Sequence, residues 1–136
     1  KTLSTLVDNR ELNGWLKSMN LGKRELFTLT TADGVNLNGW MVKPADFNPS
    51  KKYPVIMFQY SGPGSQSVKN AWGVGMAGQG AMLEQYLAQR GYLCVCVDGR
   101  GTGARGAEFE KCTYLQMGEL ESHDQVEAAL WLAKQE

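Results

Sequence analysis

The sequence predicts an α/β fold, an antiparallel hairpin followed by parallel strands with crossover helices. Three observations carry this. Val55 to Phe58 and Tyr92 to Val97 are short runs apolar on both faces, the pattern of strands covered on both sides. Each leads into a glycine-rich loop, Tyr60-Ser61-Gly62-Pro63-Gly64-Ser65-Gln66 and Asp98-Gly99-Arg100-Gly101-Thr102-Gly103-Ala104-Arg105-Gly106, and a helical pattern lies between them. Upstream, Asp33-Gly34 parts two strand-like runs and signals a hairpin.

Taken in order, Asp8 and Glu11 have capping-box spacing, and Leu12, Trp15, Leu16 and Met19 recur at helical spacing, which predicts a short amphipathic helix. Leu26 to Thr30 and Val35 to Val42 are the hairpin strands. Pro54 opens the run Val55-Ile56-Met57-Phe58, which reads as an interior strand. Met82, Leu83, Tyr86 and Leu87 predict a helix that ends at Gly91, and Tyr92 to Val97 is the next strand, so the unit is a right-handed crossover between parallel strands. Ser122 and Gln125 form a second capping box, followed by Val126, Ala129, Leu130 and Ala133 on one face of the last helix, with Asp124 in its first turn to suit the helix dipole.

A length of 136 residues allows one domain at most, and 43% hydrophobic with 21% charged residues is the composition of a folded chain. Fourteen Lys plus Arg balance fourteen Asp plus Glu, so there is no basic stripe for a phosphate backbone and nucleic acid is not an expected partner. The longest apolar run, Tyr92 to Val97, is far short of the roughly 20 residues of a membrane span. Cys94, Cys96 and Cys112 lack C-x-x-C spacing and read as reduced thiols, the first two buried; no metal or cofactor is expected. The chain opens Lys1-Thr2-Leu3 with neither Met nor a signal-peptide apolar region, so we expect a piece of something longer.

In open parallel sheets, ligands bind outside the carboxyl ends of the strands, which places the candidate site between the two glycine-rich loops. Gly101 to Gly106 and Gly73 to Gly78 both fit G-x-G-x-x-G. In that fingerprint the glycines run straight into a helix, whereas Ala107-Glu108-Phe109-Glu110 begins an irregular stretch and the Gly73 copy follows no strand. A nucleotide- or phosphate-binding module is therefore the alternative reading. No nucleophile elbow G-x-S-x-G is present, because Gln59 stands two places before Ser61 and Pro63 two places before Ser65. The single histidine, His123, falls in the expected first turn of the last helix, where a solvated or capping role is the natural one. Asp98 and Arg100 read as a charge pair that ties down glycine-rich backbone.

Tyr53-Pro54-Val55, the loop Tyr60 to Gln66, the loop Asp98 to Gly106 and Asp124-Gln125 follow one another in an order that resembles the dipeptidyl peptidase IV-like serine peptidases of the prolyl oligopeptidase family. The resemblance runs from about Lys23 to the end. It implies an amino-terminal helical segment over 1–22 and, over 23–136, the amino-terminal half of an α/β-hydrolase catalytic domain that stops before the nucleophile elbow. The activity implied is release of Xaa-Pro or Xaa-Ala dipeptides from peptide amino termini. Tyr60 occupies the position of the family's oxyanion tyrosine, with Gly62 and Pro63 completing its motif and Asp98 and Arg100 as structural loop residues. Serine, acid and histidine of the triad would follow later, so the chain alone is expected to be inactive. Glu119 and Glu121 do not match the family's paired substrate-binding glutamates, which belong to a β-propeller. Bacterial relatives imply a periplasmic or secreted location, with the cytoplasm left open by the cysteines. The family's next strand would lie beside Val55 to Tyr60, so an open edge there predicts self-association, and an interaction module is the remaining alternative.

Overall fold

The computed structural model describes residues 3–71, 73–76 and 82–135. Eight elements follow in the order α1 (Arg10–Ser18), β1 (Arg24–Thr30), β2 (Asn36–Val42), β3 (Val55–Phe58), α2 (Met82–Gln89), β4 (Leu93–Asp98), α3 (Ala107–Lys111) and α4 (Glu119–Ala133). The strands form one sheet in the order β1-β2-β4-β3. β1 and β2 are the expected hairpin, and β3 pairs with β4 in parallel across α2. The two units are joined by an antiparallel β2–β4 pairing, Asn38 opposite Asp98 through Val42 opposite Cys94.

Period-two alternation sends the strand side chains to two cores. Leu29, Leu37, Met41, Val95 and Val97 meet Ala128, Trp131 and Leu132 of α4 on one face. Trp40, Val42, Cys94 and Cys96 meet Ala88 and Leu87 of α2 on the other. β4 is buried on both faces, as its unbroken apolar run requires.

Val55 to Phe58 was expected inside the sheet, yet β3 is an edge strand among the described residues. Its residues are apolar on both sides because Met57 packs into the α4 core while Ile56 and Phe58 pack into the α2 core. Two-faced apolarity reports cover above and below a strand, not a neighbour beside it. Leu93 N donates to Pro54 O at 2.9 Å and Val55 lies opposite Leu93. By alternation Ile56 and Phe58 turn their backbone groups to β4, whereas those of Val55 and Met57 face away from it.

The helices differ from expectation in which face they bury. α1 begins at Arg10 behind a left-handed Asn9, and Asp8 Oδ1 accepts the Arg10 N–H at 3.0 Å in place of the expected box with Glu11. In α2, of the expected stripe Met82, Leu83, Tyr86 and Leu87, only Leu87 packs against the core and the other three are exposed, while Glu84, Gln85 and Ala88 are buried. Gln85 explains its burial: it accepts from Gly22 N at 2.7 Å and donates to Gly22 O at 3.0 Å, so both its polar ends are satisfied by backbone. α4 starts one turn before Ser122; Glu121 Oε2 accepts the Gly118 N–H at 2.9 Å, so the capping carboxylate is Glu121 and not the Ser122–Gln125 pair. Asp124 then falls in the second turn and is fully buried with Ala128 and Glu121, while Val126 and Leu130 are 58% and 51% exposed and Ala129 and Ala133 are also exposed. Periodicity shows which face of a helix is apolar; which face packs depends on what the rest of the chain offers.

Candidate functional site

The loops that leave β3 and β4 lie side by side at the carboxyl end of the sheet, and backbone and carboxylate hydrogen bonds join them. Gly62 to Ser65 is a β-turn closed by Ser65 N donating to Gly62 O at 3.1 Å. Proline at its second position and Gly64 at its third, with φ +76°, are what a type II turn demands. The Ser65 hydroxyl donates to the same carbonyl at 2.6 Å. The second loop grips this turn from outside: Gly103 N donates to Ser65 O at 2.8 Å, and Glu110 Oε1 accepts the Gly64 N–H at 2.7 Å. Gly62 is buried at the base of the turn and Pro63 is exposed at its tip.

Asp98 and Arg100 both shape these loops, but not as a pair with each other. Asp98, 7% exposed at the end of β4, accepts from Ser67 N at 3.1 Å and Val68 N at 2.8 Å, and so draws the first loop back over the sheet. Burial raises its pKa from the ordinary aspartate value despite those bonds. Arg100 instead reaches α4, where Nη2 donates to Asp124 Oδ1 at 2.6 Å and the backbone N–H to Asp124 Oδ2 at 2.6 Å. Its Nη1 donates to Asp33 Oδ2 at 2.8 Å, tying in the hairpin turn. Hydrogen bonding to Asp124 holds the guanidinium pKa above its ordinary value. The charge partners are Asp124 and Asp33 because Asp98 is already committed to two backbone amides facing the other way.

His123 lies in the second turn of α4, with Nδ1 at 3.2 Å from Arg100 Nη2 and 3.5 Å from Asp124 Oδ1. A ring nitrogen that faces a guanidinium can only accept a hydrogen bond from it, since the guanidinium has no acceptor. Gly106 does open a helix, contrary to the irregular stretch expected after it, but α3 has only five residues. Of the loop amides, Gly101 N donates to Phe109 O at 2.9 Å, Thr102 N to Gly99 O at 3.3 Å and Arg100 N to Asp124, so these three are not turned to an external anion. The Gly73 copy of the fingerprint extends to Gly78, outside the described residues.

Tyr60 stands two residues after β3 and is 65% exposed, with Gln59 Nε2 donating to Ser61 Oγ across it. Its ring lines an open groove of about 810 Å³ between the β3 edge and α4, with Met57, Met117, Gln125, Val126 and Ala129. Two residues of the exposed α4 stripe, Val126 and Ala129, thus line the same space as Met57 of β3. Glu110 and Asp124 were not singled out from the sequence as site residues. Glu110 carries no signal there, since it stands in an unpatterned stretch, whereas Asp124 beside Gln125 was part of a recognised motif. Cys94 and Cys96 are buried and free, Cys112 is half-buried and free, and no group of three metal-ligating side chains occurs among the described residues. No described helix is long and apolar enough to cross a membrane.

A mixed sheet flanked by helices, with its loops gathered at the carboxyl end of the parallel strands, is the amino-terminal part of an α/β-hydrolase fold. Residues 81–136 match the model of the prolyl oligopeptidase family. The chain is 39% identical over 132 residues to a probable dipeptidyl-aminopeptidase B of Chaetomium globosum, covering 96% of this chain and 13% of that protein. It is 36% identical to a probable dipeptidyl peptidase 4 of Aspergillus clavatus, covering 98% of this chain and 17% of that protein. The crystal structure of Porphyromonas gingivalis dipeptidyl peptidase 4 superimposes with a TM-score of 0.84 at 47% identity, over 99% of this chain and 18% of that one. Together these matches support a dipeptidyl peptidase IV-like fragment of the prolyl oligopeptidase family. The chain spans less than a fifth of the length of these relatives.

Proposed function

We propose that the protein to which this stretch belongs is a serine exopeptidase that releases Xaa-Pro or Xaa-Ala dipeptides from peptide amino termini, with Tyr60 as a donor to the tetrahedral oxyanion. The observation that carries this is the placement of Tyr60: a phenol at the end of β3, exposed on a groove and held beside a doubly clamped turn. A phenol of pKa about 10 is a neutral donor at pH 7, and a donor held ready where charge develops lowers the barrier without reorganising. The relatives' names as dipeptidyl peptidases support the substrate class. A serine hydrolase needs its nucleophile in an elbow, which this sequence lacks, and Nδ1 of its single histidine faces the Arg100 guanidinium. The 136-residue chain alone is therefore proposed to be inactive, and domain limits of 1–22 and 23–136 and export from the cytoplasm belong to the same proposal.

The test is Tyr60→Phe in the full-length gene product, which keeps the ring and removes one donor. We predict a loss of roughly 10²–10³ in kcat on a Gly-Pro chromogenic substrate. An unchanged kcat would remove Tyr60 from the reaction. Turnover by the isolated chain that survives repurification and vanishes in the Tyr60→Phe variant would refute its inactivity.

A second reading, interaction through the sheet edge, is favoured by the outward backbone groups of Val55 and Met57 beside an apolar groove. Phosphate binding is disfavoured by the internal hydrogen bonds of the Arg100, Gly101, Thr102 and Gly103 amides and by the two carboxylates that occupy the Arg100 side chain.

A further inference from the structure

We infer that Glu110 is a positioning residue for Tyr60, acting through the Gly62–Ser65 turn; the inference rests on the reading of Tyr60 as oxyanion donor. In a type II turn the amide of the third residue points outward, away from the closing hydrogen bond, and needs a partner of its own. Here that partner is a carboxylate from another element: Glu110 Oε1 at 2.7 Å from Gly64 N. Glu110 makes no ion pair among the described residues, so its charge is not committed elsewhere. Charge-assisted bonds of this kind are about twice as strong as neutral ones.

The consequence for Tyr60 follows from chain connectivity. Between the last β3 residue, Phe58, and the Asp98-bound amides of Ser67 and Val68, the loop crosses eight residues, 59–66, with the turn at its middle. The second loop and α3 touch that turn at two points, Gly103 N on Ser65 O and Glu110 on Gly64 N. The first fixes the exit of the turn. The second fixes the flip of its central peptide, which sets the direction in which the chain enters through Ser61 and Gly62. An exposed ring on a short glycine-bearing loop has few contacts of its own to hold the phenol where charge will develop, and small displacements at a reacting centre are costly.

The experiment is a double-mutant cycle in the full-length enzyme with a Gly-Pro substrate. Glu110→Ala is expected to lower kcat about 10-fold with KM within about twofold, and Glu110→Gln, which keeps an acceptor oxygen, to retain kcat within about threefold. In the Tyr60→Phe background Glu110→Ala is expected to have no further effect, because nothing remains to be positioned. If Tyr60→Phe slows the enzyme but Glu110→Ala does not, or slows it equally in both backgrounds, the inference is overturned while the role of Tyr60 stands. If Tyr60→Phe leaves kcat unchanged, the role of Tyr60 falls and this inference with it. Should Glu110→Ala fail to fold, Glu110→Asp, which withdraws the carboxylate by one methylene and keeps its charge, makes the same comparison.

Discussion

Cys94 and Cys96 stand two apart on β4, so both point into the α2 core, and both are fully buried. Burial, with Glu84 near, pushes the Cys94 thiol up to about 11; burial, with Asp98 near, pushes Cys96 up to about 12. The sign of the pH dependence follows. Above pH 9.0 an unfolded chain gives up thiol protons that the folded chain keeps, so this part of the stability is complete below pH 9.0 and is lost as pH rises through about 11 and 12. We predict that stability by denaturant titration falls along this alkaline limb and that a Cys94→Ala/Cys96→Ala variant, though less stable at pH 7, shows a shallower fall. An equal slope in the two proteins would show that other groups control the limb. A thiol-specific disulfide reagent at pH 8 should label Cys112 in the native chain and reach the other two only on unfolding.

Among the elements, the hairpin shows how a glycine can serve packing. Phe27 of β1 lies opposite Gly39 of β2, and its ring spreads over the glycine to stack on Trp131 of α4 with centroids 5.2 Å apart. A Cβ on Gly39 would stand 2.4 Å from the Phe27 ring and 2.9 Å from Cys96 O. The carbonyl belongs to a central strand and cannot retreat cheaply. We predict that Gly39→Ala destabilises the chain by about 1–3 kcal/mol and reduces the near-ultraviolet signal of Trp131, with chemical denaturation followed by circular dichroism as the check. A neutral result would mean that the ring swings aside and that the stack contributes little. The hairpin, the crossover and the positions of α1, α2 and most of α4 were legible in the sequence because periodicity and turn residues are local, whereas the five-residue α3 was not. The buried faces of α2 and α4 were not, because Gln85 and Asp124 are drawn inside by Gly22 and Arg100, which lie far along the chain.

For the molecule as a whole, the open β3 edge and the exposed face of α4 leave apolar surface on one flank. Val55 is 41% exposed there, and its backbone donor and acceptor face outward. An edge strand without charge or bulge recruits other strands. We predict that the 136-residue chain at tens of micromolar sediments faster than a monomer, and that Val55→Lys, a charge on the edge, returns it to the monomer. A sharp monomer boundary for the unaltered chain would count against this.

The division between local and distant causes also runs through the candidate site. Tyr60, Gly62, Pro63, Asp98 and Arg100 could be named from motif order, and the α/β class from two apolar runs and a hairpin, since both rest on residues close together in the chain. Which carboxylate meets which donor could not. Asp98 turns to the Ser67 and Val68 amides, Arg100 crosses to Asp124 and Asp33, and Glu110 reaches Gly64 from an unpatterned stretch. A charge carries no mark of its partner; only the packing of β4 between two helices brought these groups within hydrogen-bonding distance.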